Sequence, residues 1–467
     1  MLLTRSGEAG KEHTTTQHIH IHARTLASPL PLPMSLFSVT KRAPELVGPS
    51  EPTPAGHRPF SPNDDTNPAL RFFLEMILVF GRCGDQPEPA KAVRGALARA
   101  LVPYYPVAGR IVADADDASK LQVACTGEGA WFVEASAGCS LAELEYMENQ
   151  PHLVPKAQLL PSPPQGVDHK AVPFMMQVTE FKCGGFVVGI KYNHVMFDGL
   201  GIGQFMVAIG DMARGLPQPT VKPVWCRELV PRLSNSPKEP PPMPLEPVAP
   251  FKFEDRTMDV SLQSINELKS QFVKETGRSC SVFDVVAAKL WQSRTRAADL
   301  EPDVDVAFLF PVSVRKELGV LPEEGGYYGN CVFPVVIQAP SQQVVNASLS
   351  EIVSLVKDAK DELPAKFRRF LNGDEEHEKP FGVKSLYGLM GVTDFRRLGV
   401  FEVDYGWGTP KYVISPSVDD NPMRTVAGCT ILNSPAPKEG VRLVTNCVVK
   451  EHLEAFRDEM KKWAQLL

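Results

Sequence analysis

Apolar residues recur every three to four positions over 90–101, 204–213, 262–276, 281–300, 349–360 and 451–463, and this spacing predicts amphipathic helices. Ser281 stands where an N-cap belongs, and Gly277 follows the third of these segments as a stop signal. Shorter apolar or alternating runs predict strands at 109–112, 121–125, 130–134, 175–179, 185–192, 304–314, 331–337, 412–416, 425–433 and 441–449. A first strand is expected just after Met34. The turn Thr126-Gly127-Glu128-Gly129 is expected to join two of these strands, and Lys182-Cys183-Gly184 to close an antiparallel pair. Helices and antiparallel-looking strands alternate in both halves, which predicts two α/β layers.

A chain of 467 residues is too long for one ordinary core, so two domains are expected. The dense proline series within 231–250, including Pro240-Pro241-Pro242, marks a stiff connector between a domain at 34–230 and another at 251–467. Residues 1–33 have a different composition, with His18, His20 and His22 in alternation. They read as a disordered extension or an upstream start; a transit peptide is the alternative, which Glu8 and Glu12 oppose. Nothing nearby completes a metal site around the three histidines, so no metal is expected. A net charge of −6 argues against a nucleic-acid-binding surface. Nine cysteines without a single CxxC pair suggest a reducing, cytoplasmic setting, and no apolar run is long enough to cross a bilayer.

His194 stands where the strand at 185–192 runs out, with Asp198 four residues on and Gly199, Gly201 and Gly203 behind it. A neutral imidazole is the usual base near neutral pH, and a strand end before a glycine-rich turn can aim a side chain into a cleft. Asp198 either orients the imidazole or braces the turn through a basic residue; spacing leaves both open. Asp404-Tyr405-Gly406-Trp407-Gly408 is a poor helix sequence and predicts a tight loop. No GxSxG elbow, GxxxxGK[ST] loop or HExxH helix is present. The glycine run is no dinucleotide fingerprint either, because its last position falls on Gln204 or Met206. Nothing around Cys183 signals an activated thiol.

At these residues the chain resembles the plant BAHD acyl-CoA-dependent acyltransferases. Their HxxxDG motif matches His194-Val195-Met196-Phe197-Asp198-Gly199, and their DFGWG motif matches Asp404–Gly408 with Tyr405 in place of Phe. Further family-like segments are Tyr104–Arg110, Cys125–Gly129 and Tyr327-Tyr328-Gly329-Asn330. The resemblance implies a two-domain α/β fold of the chloramphenicol-acetyltransferase type, with mixed sheets flanked by helices and a tunnel between the domains. It implies that His194 takes the acceptor's proton as that atom attacks the CoA thioester, with no acyl-enzyme. Asp198 is then structural and paired with a basic residue, for which Arg315 is the candidate. Thr393 is the candidate donor to the tetrahedral oxyanion, and Phe395 stands where many relatives carry Trp. Tyr405, Gly406, Trp407 and Gly408 would shape the CoA side, and the added Tyr405 hydroxyl would need only a partner or water.

Acyl-CoA is then a co-substrate and no cofactor is permanently bound. A monomer without nucleic-acid or membrane partners is expected. Segments at 177–181, 223–228 and 291–296 are similar to benzoyl and hydroxycinnamoyl transferases, so an aromatic acyl group moving to a small alcohol is the first expectation. N-acylation of an aromatic amine and acetyl transfer are the alternatives. A hydrolase lacks its nucleophile elbow here, and a catalytically silent binding protein would be expected to lose His194.

Overall fold

The computed structural model describes residues 37–65, 70–82, 88–118, 120–148, 155–231, 251–322, 325–373, 386–414 and 426–464. The N-terminal extension, with its three alternating histidines, and nearly all of the proline-rich crossover lie outside these residues.

Two mixed sheets organise the molecule. The first runs Val39–Lys41, Ala130–Ala137, Phe174–Phe181, Phe186–Asn193, Phe73–Phe80 and Tyr412–Ile414, with Glu45–Val47 also paired to Ala130–Ala137. The second runs Arg256–Ser261, Gly440–Asn446, Ala427–Asn433, Leu389–Asp394, Asp305–Ser313 and Val332–Pro340. Each sheet contains parallel and antiparallel neighbours. A smaller sheet joins His57–Pro59, Leu121–Ala124 and Arg110–Ala113.

The predicted antiparallel pair around Lys182-Cys183-Gly184 is present as Phe174–Phe181 against Phe186–Asn193. The helix Val282–Ala298 starts on a capping box between Ser281 and Asp284, and Leu262–Thr276 ends at Gly277 with φ of 70°. Four expectations are corrected. The strands on either side of 126–129 enter different sheets and form no hairpin. The helix from Leu349 runs on to Leu371 through Pro364, because Leu363 and Phe367 continue its buried face. Tyr412–Ile414 pairs with Phe73–Phe80 in the first sheet, so the later half of the chain covers an edge of the earlier half's sheet.

The fourth correction concerns the glycines after His194. They do not form a turn: the helix Gly199–Ala213 begins at once, capped by Asp198, whose Oδ1 accepts from Gly201 N at 2.9 Å. A Cβ at Gly203 would lie 1.4 Å from the Leu398 carbonyl oxygen, and one at Gly201 would lie 2.0 Å from that of Tyr328. Glycine is required because backbone from the second half of the chain presses directly on this helix. The first hydrophobic core accordingly includes Tyr328, Phe395, Val403, Tyr405 and Trp407 together with residues of the first sheet.

Candidate active site

His194 follows directly on the strand Phe186–Asn193, and its N–H donates to Phe72 O at 2.9 Å. The Phe72 ring lies 5.3 Å from the imidazole, centre to centre, tilted by 53°. The side chain is partly exposed, while Nδ1 is buried and hydrogen-bonds to no group among the described residues. Burial disfavours the imidazolium and outweighs the neighbouring carboxylates Asp198 and Asp64, so the pKa falls below the ordinary histidine value. A neutral ring held at a strand end can accept a proton.

Asp198 does not share in that task. It is buried, and its Oδ1 accepts from Gly201 N and from Arg315 Nη2, both within 2.9 Å. Its Oδ2 accepts from Cys331 N at 3.1 Å, and no hydrogen bond joins it to His194. Arg315 also donates to Gly329 O at 2.8 Å and to Tyr327 O at 3.3 Å. Burial alone would lower the Arg315 pKa, but Asp198 outweighs it and keeps the guanidinium charged. The geometry therefore has Asp198 capping one helix and tying it to two segments of the second half.

A second buried group holds the loop that carries His194, and sequence reasoning did not single it out. Arg227 and Asp64 are both fully buried and form an ion pair at 2.8 Å. Arg227 also donates to Val195 O at 3.0 Å and to Met196 O. Asn330 Nδ2 donates to His194 O and to Asp64 Oδ1, each at 2.8 Å. Three consecutive carbonyls are thus held from one side by two side chains, both anchored on Asp64. Arg227 and Asn330 fall in segments that carry the family resemblance, which was the available signal; nothing around Asp64 gives one.

The loop at 404–408 is organised by Asp404, whose Oδ1 accepts from Gly406 N at 2.8 Å and Gly408 N at 2.9 Å. Gly406 has φ of 103°, a conformation open to glycine alone at little cost. Arg214 at the end of the helix Gly199–Ala213 donates to Asp404 O at 3.1 Å. Tyr405 packs on Phe80 at 5.3 Å and Trp407 meets Phe186 edge-on at 5.4 Å. The Tyr405 hydroxyl is buried with no hydrogen-bond partner among the described residues. None of these side chains forms a hydrogen bond or ring pair with His194.

Thr393 lies on Leu389–Asp394 opposite Thr430, and no hydrogen bond connects it to His194. Phe395 is buried in the first core. A cavity of about 710 Å³ opens between the helix Gly199–Ala213 and the segments bearing Arg315, Tyr327 and Leu398; His194 is not among its walls. Among the described residues no group of His, Cys, Asp and Glu could hold a metal ion, and no helix is long and apolar enough to cross a membrane.

The model of the transferase family matches residues 37–463. Myricetin 3-O-glucosyl 1,2-rhamnoside 6'-O-caffeoyltransferase AT2 of Crocosmia x crocosmiiflora is 49% identical over 440 residues, covering 91% of this chain and 99% of that protein. The 3'-N-debenzoyl-2'-deoxytaxol N-benzoyltransferase of Taxus canadensis is 31% identical over 443 residues, covering 91% of this chain and 96% of that protein. In fold the chain is similar to vinorine synthase, with a TM-score of 0.67, 20% identity and coverage of 90% and 96%. It is also similar to TRI101 of F. graminearum complexed with coenzyme A and T-2 mycotoxin, with a TM-score of 0.69, 16% identity and coverage of 88% and 99%.

Proposed function

This chain belongs to the BAHD acyl-CoA-dependent acyltransferases of the transferase family, and from that premise we propose that His194 is the general base for moving an aromatic acyl group from CoA to an acceptor hydroxyl. The observation that carries the base role is His194 at a strand end, its Nδ1 hydrogen-bonded to no described residue, beside an Asp198 whose two oxygens are already committed elsewhere. The imidazole takes the hydroxyl proton as the oxygen attacks the thioester carbonyl. The tetrahedral intermediate collapses, the C–S bond breaks, and the CoA thiolate leaves. Such general base catalysis contributes roughly 10²–10⁴-fold, and alignment of the two substrates supplies much of the rest.

Two relatives at 49% identity are caffeoyltransferases of a glycosylated flavonol, and this supports a hydroxycinnamoyl donor ahead of benzoyl or acetyl. It also supports O-acylation ahead of N-acylation, since the N-benzoyltransferase is more distant at 31%. The acceptor then widens from a small alcohol to a hydroxyl on a glycosylated phenolic. In this reading Thr393 donates to the oxyanion, and the Asp404–Gly408 loop shapes the CoA side of a tunnel between domains at 34–230 and 251–467. The enzyme works as a cytoplasmic monomer. A panel of caffeoyl-, benzoyl- and acetyl-CoA against flavonol glycosides, simple alcohols and aromatic amines tests the proposal. Acylation confined to amines, or turnover with acetyl-CoA alone, would overturn it.

A further inference from the structure

We infer that Arg227, Asp64 and Asn330 are positioning residues for the His194 base, acting through the backbone of residues 194–196 rather than on the substrates. The inference rests on the base role proposed for His194. The carbonyls of residues 194–196 form no part of the strand Phe186–Asn193 or of the helix Gly199–Ala213, so neither element supplies them with backbone donors. Buried carbonyls need donors, and here the donors are side chains. The Arg227 fork spans Val195 O and Met196 O, a two-point grip that a point-charge ammonium cannot reproduce. Asn330 takes the carbonyl of His194 itself.

The origin of these side chains matters as much as their contacts. Asp64 precedes the first sheet's strand Phe73–Phe80, Arg227 lies just before the crossover, and Asn330 lies two residues before the second-sheet strand Val332–Pro340. Asp64 binds all of them together: Oδ2 pairs with Arg227 at 2.8 Å and also accepts from Ser61 Oγ at 2.7 Å, while Oδ1 accepts from Asn330 at 2.8 Å. The Arg227 guanidinium is further enclosed by the Trp225 ring at 4.4 Å and the Phe60 ring at 5.0 Å. The backbone bearing the base is therefore shaped only when segments from both halves meet behind it. A displacement of about 1 Å in that backbone would move the imidazole out of line with the acceptor proton, which costs on the order of 10²-fold in rate.

The test is Arg227→Lys, which keeps the charge beside Asp64 and removes the fork, and Asn330→Ser, a smaller change that leaves the Arg227–Asp64 pair intact. Both are compared with His194→Ala using the full chain and whichever donor and acceptor the panel identifies. The expected result is a fall in kcat of on the order of 10²-fold for Arg227→Lys and about tenfold for Asn330→Ser. Both KM values should stay within about twofold, because both side chains are fully buried. Unchanged kcat in folded Asn330→Ser and Arg227→Lys would overturn the positioning role, as would losses confined to KM. If His194→Ala itself keeps full activity, the base assignment fails first, and that result is distinct from the other two.

Discussion

Replacing Asp198 by Asn separates a structural aspartate from a catalytic one. The side chain accepts three hydrogen bonds: Gly201 N and Arg315 Nη2 on Oδ1, and Cys331 N on Oδ2. Asparagine is as good an N-cap as aspartate, so the helix Gly199–Ala213 itself loses little. The amide nevertheless has only one acceptor oxygen where both oxygens are in use. In either orientation its NH₂ faces a donor, from Cys331 on one side or from Gly201 and Arg315 on the other.

Arg315 also loses its anionic partner, with only 17% of its own side chain and 3% of the Asp198 side chain exposed. Removing one member of a buried pair costs about 3–5 kcal/mol, and the lower end applies because Arg315 keeps Gly329 O and Tyr327 O. A donor left facing a donor adds about 1 kcal/mol or more. The expected total is about 4 kcal/mol, a large part of the stability of an ordinary domain. Urea unfolding monitored by tryptophan fluorescence reads this as an earlier midpoint, and activity normalised to the folded fraction should fall far less than in His194→Ala. A stability change under about 1 kcal/mol together with a loss of turnover as deep as that of His194→Ala would refute the reasoning and make Asp198 a direct participant.

Three further outcomes follow from the same geometry. Tyr405→Phe removes a buried hydroxyl that has no hydrogen-bond partner among the described residues, so the unfolding midpoint should rise by the equivalent of about 1 kcal/mol; a fall would mean that the hydroxyl is satisfied. Gly203→Ala should destabilise by at least about 1–3 kcal/mol, because its Cβ would meet the Leu398 carbonyl. A gain of about 1 kcal/mol, the ordinary helix-propensity benefit of alanine over glycine, would contradict the close approach. In a pH–kcat/KM profile, burial disfavours the protonated His194, so activity should persist below the ordinary histidine range and be lost only in more acidic solution. Stability shifts with the same sign, since the unfolded chain takes up that proton first as the pH falls. An acid limb centred above the ordinary histidine value would contradict the shift.

Much of the helical framework was legible because its signals are local. The capping box at Ser281 and the stop at Gly277 needed no tertiary knowledge. The glycines at 201 and 203 misled for the opposite reason: helix propensity penalises them, and the backbone that demands them lies more than a hundred residues away. Phe73–Phe80 carries Glu75 within an otherwise apolar run, which blurs its strand signal, although it pairs along its whole length with Phe186–Asn193. Tyr412–Ile414 looked like any short strand, and no local pattern could show that it would join the other sheet. His194 was prominent from its motif. The partnership of Asp198 with Arg315 came from family resemblance, since 117 residues separate them. The Asp64–Arg227 pair spans 163 residues and stayed hidden until the fold brought the two together.

The most direct measurement is thiol release from caffeoyl-CoA with a flavonol glycoside acceptor, comparing the natural chain with His194→Ala at pH 7. General base catalysis by this imidazole predicts a fall in kcat of roughly 10²–10⁴-fold, with an unfolding midpoint close to that of the natural chain. Unchanged acceptor-dependent thiol release in a folded His194→Ala protein would contradict it.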